Sequence, residues 1–251
     1  MAEVAWDEAG LERRVRIWAL PVALGLMWLL VHTSPGRFLA RTFLSMWLHE
    51  SGHALSAWLC GFLAFPGPWF TPIAAERSRL FTILLAGVFG LAASWFWQGE
   101  KRGWAGVFAG LVLAEIFCSV VLPDRSARAF FIFMGDGGSM VLGTVLMATL
   151  WWKPAQHGWL RYGFLVLGAA GLLDPFTQWW AARTDPDQIP FGMNEGQGLS
   201  DPSHLSDDFG WPAGLIVSRY VALGVVCLLV LGAAWVFGIL RMSDQGDREN
   251  A

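Results

Sequence analysis

Leu80–Trp97 contains no charged side chain, and Trp104–Leu122 contains one, Glu115. About 20 apolar residues in a helix cross a hydrocarbon layer of about 30 Å. In lipid, each backbone donor and acceptor has to be satisfied within the segment, so helix is the form such runs take. Ile17–His32, Phe43–Cys60, Phe130–Trp152, Trp159–Trp180 and Pro212–Leu240 are five further runs of the same character. The sequence therefore predicts an all-α polytopic membrane protein with about seven transmembrane helices. Residues 1–251 read as a single integral membrane domain. With 55% hydrophobic and only 15% charged residues, the chain has more apolar surface than a soluble core can use. Several of its 16 Trp, among them Trp104, Trp151, Trp152, Trp159, Trp179 and Trp180, fall near the ends of runs, where interfacial belts are expected.

The segments between the runs are short, with one exception. Residues 1–15 are polar and lead through Arg13 and Arg14 into a run that reads as a signal anchor. Arg183–Trp211 is a long acidic segment carrying Asp185, Asp187, Glu195, Asp201, Asp207 and Asp208, and is expected to be an aqueous loop. His204 within it reads as a solvated loop residue or an outer contact to the site. Arg241–Ala251 is a charged tail. Gly61–Pro72 is apolar but holds Pro66, Pro68 and Pro72, which predicts a broken segment rather than a helix. A net charge of −3 supplies no basic face for nucleic acid. Cys60, Cys118 and Cys227 lack C-x-x-C spacing and read as packing thiols.

One run carries chemistry. Phe43–Gly61 contains His49-Glu50-Ser51-Gly52-His53. On a helix the two histidines lie one turn apart on one face, where two imidazoles can hold a Zn²⁺ while Glu50 beside them activates water. Each ionisable group at mid-bilayer costs roughly 2.5–3.5 kcal/mol, so three together require a function. A structural reading, in which the trio hydrogen-bonds neighbouring helices without a metal, is the alternative. Three other carboxylates lie within apolar runs. Asp136 sits among Gly135, Gly137 and Gly138, which permit a close approach to the histidine helix. Glu115 is isolated, as a ligand, proton relay or protonated partner, and Asp174 precedes Pro175, as expected at a helix break.

The run His49-Glu50-Ser51-Gly52-His53-Ala54-Leu55-Ser56-Ala57, closing at Gly61, resembles the active-site helix of the site-2 protease family of intramembrane zinc metallopeptidases. Asp136-Gly137 resembles that family's second motif, although the family has an Asn and a Pro upstream of its Asp-Gly and here Phe130-Phe131-Ile132-Phe133-Met134-Gly135 precedes it. The resemblance implies a short, divergent membrane-embedded zinc metalloprotease that hydrolyses a peptide bond in or near a transmembrane segment. His49, His53 and Asp136 would be the metal ligands and Glu50 the catalytic base, with Glu115 as the competing third ligand. The expected partners are a membrane protein or peptide substrate and the lipid bilayer. The expected location is integral and multi-pass, in a bacterial inner membrane. A non-catalytic transporter or assembly factor that uses the cluster for metal or proton passage is the competing class.

Overall fold

The computed structural model describes the backbone of residues 2–151, 159–194 and 198–249. Trp152, Lys153–Gly158, Glu195 and the last two residues of the tail lie outside the described residues. Helix α1 (Ala2–Val31) is followed by α2 (Ser34–Leu39), a π-helical stretch Ala40–Ser45, and α3 (Met46–Leu59). A hairpin of β1 (Phe62–Ala64) and β2 (Ile73–Arg77) leads to α4 (Arg79–Gln98) and α5 (Arg102–Ile116). Helices α6 (Asp124–Ala148) and α7 (Leu160–Ala181) come next. The short strands β3 (Met193–Asn194) and β4 (Gly198–Leu199) then precede α8 (Asp201–Asp207) and α9 (Ala213–Glu249). The architecture is all-α apart from these two small hairpins.

Glu12–Val31, Arg79–Gln98, Arg102–Val121, Asp124–Trp151 and Ala213–Met242 are helical stretches long and apolar enough to cross a membrane. Two of the seven expected spans fall outside this set. Helix α3 has 14 residues and includes the polar trio. Helix α7 has 22 but carries Asp174, Pro175 and Gln178 in its second half. Many large apolar side chains on the five are exposed, Leu80, Ile83, Leu84, Val88, Leu91 and Trp95 of α4 among them, a surface compatible with a lipid surround.

Packing divides the chain into two compact units. The first comprises Met1–Leu48, Ser139–Ile189 and Gly214–Ala251. Small residues let its backbones meet: a Cβ on Gly143 would lie 2.6 Å from the Gly168 carbonyl oxygen, and one on Gly168 equally close to that of Gly143. Trp179 is fully buried and stacks on Tyr220 with ring centroids 4.3 Å apart. Asp174 is buried here as well. The Ser45 hydroxyl donates to its Oδ2 at 2.5 Å and Arg41 Nη1 at 3.3 Å, the π-helical stretch supplying both donors.

The second unit comprises His49–Gly138 and Pro190–Ala213. Helices α4 and α5 form a hairpin whose turn places Glu100 at φ 58°, and whose inner face stacks Phe96 on Phe108 at 5.4 Å. After α3, Gly61 at φ +81° turns the chain into β1, which pairs antiparallel with β2 through Phe62↔Arg77 and Ala64↔Ile73. Residues 65–72 between the strands form no helical turn. Phe62 packs in a core with Ala57, Cys60, Ala127 and Phe131, under the guanidinium groups of Arg77 and Arg128. Arg77 also donates to the Ser119 and Leu122 carbonyl oxygens, both at 2.7 Å, satisfying acceptors left free where the π-helical continuation of α5, Phe117–Val121, ends.

The closest backbone approach in this unit is between α3 and α6. A Cβ on Gly52 would collide with the Met134 carbonyl oxygen and lie 2.9 Å from the Gly138 Cα. Gly52→Ala must therefore push the helices apart, and we expect a loss of about 1–3 kcal/mol, the usual range for overpacking. Denaturant unfolding of the purified protein measures it. Gly25→Ala in α1, where a new Cβ meets nothing within 4 Å, is the control and should not destabilise.

Candidate metal centre

His49 and His53 occupy adjacent turns of α3 and are both buried. Their rings meet edge to face, with centroids 4.8 Å apart. Each ring has its Nδ1 occupied. His53 Nδ1 lies 2.7 Å from the Phe131 carbonyl oxygen, which can only accept, so this nitrogen carries the proton. His49 Nδ1 lies 3.0 Å from Asp136 Oδ1 and donates to the carboxylate in the same way. Both Nε2 atoms are thereby left with lone pairs, and they face each other at 3.2 Å. Asp201 Oδ2 completes a triangle, 3.2 Å from His49 Nε2 and 3.1 Å from His53 Nε2.

With neutral imidazoles, two lone pairs and a carboxylate oxygen converge here, an arrangement that a cation among them satisfies, as a proton shared with Asp201 also would. The triangle's edges are close to the ligand separation of about 3.3 Å that tetrahedral zinc imposes with bonds of about 2.0–2.1 Å. The outer contacts follow the usual pattern of metal-bound histidine, in which the second ring nitrogen donates to a carboxylate or backbone carbonyl and so fixes the tautomer. Among the described residues, His49, His53 and Asp201 form the one group of three such side chains with ligand atoms all within 4.8 Å of one another. The group can hold a metal ion.

Gly135 leaves room for it. A Cβ there would stand 2.5 Å from Asp201 Oδ2, 2.5 Å from His53 Nε2 and 2.7 Å from His49 Cε1, filling the space the three ligand atoms surround. The glycines beside Asp136 thus serve the site as a group: Gly138 admits Gly52 of α3, and Gly135 keeps the ligand triangle open.

Asp136 is at the site, on the outer nitrogen of His49 rather than in the triangle. The place expected for it is taken by Asp201, from the acidic segment Arg183–Trp211 that the sequence predicts to be an aqueous loop. Asp201 opens α8 directly after Ser200 and before Pro202, in a segment with its own internal bonds. Ser200 N–H donates to the Gly192 carbonyl at 2.8 Å, and Gly192 N–H to Ser203 Oγ at 2.9 Å. Trp211 beyond α8 meets the Phe133 ring at 6.0 Å, and Arg125 Nη2 donates to the Asp208 carbonyl at 3.2 Å, fixing the segment to α6. Asp201 supplies the carboxylate of the cluster.

Glu50 is buried and points to the loop after β1: the Thr71 hydroxyl lies 2.7 Å from its Oε2 and 3.0 Å from its own carbonyl oxygen. The other two candidate carboxylates lie elsewhere. Glu115 is fully buried in α5, with no hydrogen-bond partner at either oxygen among the described residues. Asp174 is held by Ser45 and Arg41. His204 pairs with Asp208 at 2.6 Å.

Comparison of the chain with protein-family models, with curated proteins and with solved structures finds no match.

His53→Ala removes a triangle nitrogen and Asp201→Asn its carboxylate charge, and each should abolish stoichiometric metal retention, measured by elemental analysis of protein purified without chelator. Asp136→Asn leaves the triangle intact but weakens the support of one ligand, and should lower metal affinity about 10–100-fold in chelator competition. Equal losses for Asp136→Asn and Asp201→Asn would contradict the division of roles.

Proposed function

We propose that this chain is a membrane-embedded zinc endopeptidase of the site-2 protease kind, cutting a peptide bond in or near a transmembrane segment. The observation that carries the proposal is the pair of histidine Nε2 lone pairs converging with Asp201, next in sequence to the buried carboxylate of Glu50. Two imidazoles and one carboxylate are an established protein ligand set for catalytic zinc, leaving a further position open. When bound, zinc would polarise the scissile carbonyl and make water a better nucleophile near neutral pH.

Glu50 would be the general base, taking a proton from the attacking water and returning it to the leaving amine. The Thr71 hydrogen bond holds Glu50 in place, since a hydroxyl donating to Oε2 limits the carboxylate's rotation. Asp136 and the Phe131 carbonyl hold the imidazoles in the Nδ1–H tautomer, so that neither needs to lose a proton from Nε2 when it coordinates. The loop between β1 and β2 exposes Phe65, Trp69 and Phe70, which fits an apolar peptide. A helical substrate has to unwind before its carbonyls are available, and the hairpin offers backbone groups to the extended form.

Glu50→Gln is the test. It preserves shape and removes the base, so zinc content should match wild type, while cleavage of membrane-peptide substrates should fall at least about 10²-fold, as expected for loss of a general base. Undiminished cleavage by Glu50→Gln would sink the assignment. A polytopic protein that only carries metal or protons would give no cleavage with either form.

A further inference from the structure

A second polar feature lies in the first unit, at the turn where the span Glu12–Val31 ends. His32, Ser34, Arg37, Phe38, Arg41 and Thr42 line a cavity of about 520 Å³ there. The two arginines differ in how their charge is used. Arg41 pairs with the buried Asp174 at 3.3 Å. Arg37 has no carboxylate partner among the described residues. Its Nε donates to the Val31 carbonyl oxygen at 2.9 Å, capping the end of α1 and leaving both Nη groups for another ligand. His32 is anchored through Nδ1 to the Trp28 carbonyl oxygen at 2.7 Å, so its Nε2 is the nitrogen left for a further contact.

We infer that this cavity binds a phosphate group, with Arg37 as its principal contact and the Ser34 and Thr42 hydroxyls as further donors. A guanidinium whose Nε is already fixed presents two Nη groups in one plane, the geometry that suits two oxygens of one phosphate. The neighbouring side chains indicate where the phosphate comes from. Phe38 in the lining is exposed, as is Trp28, whose ring packs on His32 with centroids 4.2 Å apart, and the chain neighbours Leu29, Leu39 and Phe43 are exposed as well, so apolar side chains accompany the cationic pocket at the end of a membrane-length helix. A phospholipid with an anionic headgroup matches both parts, its phosphate in the cavity and its acyl chains along the apolar side chains. A free phosphate would use the same polar groups without them.

The full-length protein, purified and placed in phosphatidylcholine nanodiscs with or without phosphatidylglycerol, tests this. Native mass spectrometry reads retained lipid, and thermal unfolding reads stabilisation by whatever binds the folded state. We expect phosphatidylglycerol to be retained by wild type and to raise its unfolding midpoint. Arg37→Gln should weaken retention roughly fivefold, the effect of one cation close to an anionic headgroup. Because Arg37 also caps α1, Thr42→Glu provides an independent variant: it sets a carboxylate in the cavity, leaves the Arg37–Val31 bond alone, and should abolish the phosphatidylglycerol effect at an unchanged midpoint in phosphatidylcholine. A rise with inorganic phosphate that both variants lose, without one from phosphatidylglycerol, keeps the phosphate site and assigns it to the free anion. No rise with either, or a rise that Thr42→Glu retains, overturns the proposal.

Discussion

The candidate metal centre depends on how closely two helical backbones approach each other. Gly52 lies on the α3 turn that carries both histidines, and Gly138 and the Met134 carbonyl of α6 come within contact of it. Only hydrogen at these Cα positions allows the approach. With it, His53 Nδ1 reaches the Phe131 carbonyl and His49 Nδ1 reaches Asp136, because both acceptors are on the same stretch of α6. A helix separation larger by one methyl would lengthen both bonds beyond useful reach. Glycine therefore acts here through distance, and the chemistry of the imidazoles follows from it.

The buried polar groups of this unit fall into two kinds. His49, His53, Glu50 and Asp136, with the half-buried Asp201, satisfy one another or a neighbouring group, leaving an unmet demand at the three inward-facing atoms. A buried network that is complete except at one point makes that point a place for a cation, since the alternative is the full desolvation cost of unpaired groups. Glu115 is the contrasting case. Its carboxyl group is buried in α5 with no hydrogen-bond partner at either oxygen among the described residues, and it takes no part in the histidine cluster. Asp174 is satisfied by Ser45 and Arg41, and its place before Pro175 within α7 is explained by those bonds without reference to the metal centre.

Much of this was legible in the chain itself. Uninterrupted apolar runs require helix whatever their neighbours, because no other single-segment form satisfies its own backbone in lipid, and five such helices are present. The i, i+4 spacing of His49 and His53 likewise determined a shared face, since helical periodicity is local. The prolines between Gly61 and Pro72 excluded helix there for an equally local reason, and the glycines around Asp136 signalled a close approach before its partner was known. The number of spans was less certain, because α3 and α7 mix apolar content with polar groups whose environment the sequence does not specify.

Tertiary structure alone decided which carboxylate joins the histidines. Asp136 and Asp201 are separated from His49 by long stretches of chain, and the glycines that favoured Asp136 do not specify which imidazole nitrogen it meets. Asp201 resembled an ordinary residue at the start of a short helix in an acidic loop, and its neighbours Ser200 and Pro202 support that reading on their own. It takes the inner position because Ser200, Gly192 and Ser203 tie its segment together and Trp211 and Arg125 fix that segment to α6, bringing Oδ2 to the two Nε2 atoms. Asp136, on α6, meets the outer nitrogen of His49. Residue types and helical spacing determined that a two-histidine centre could form; the direction from which each carboxylate approaches is a property of the packed chain, and it separated the inner ligand from the outer support.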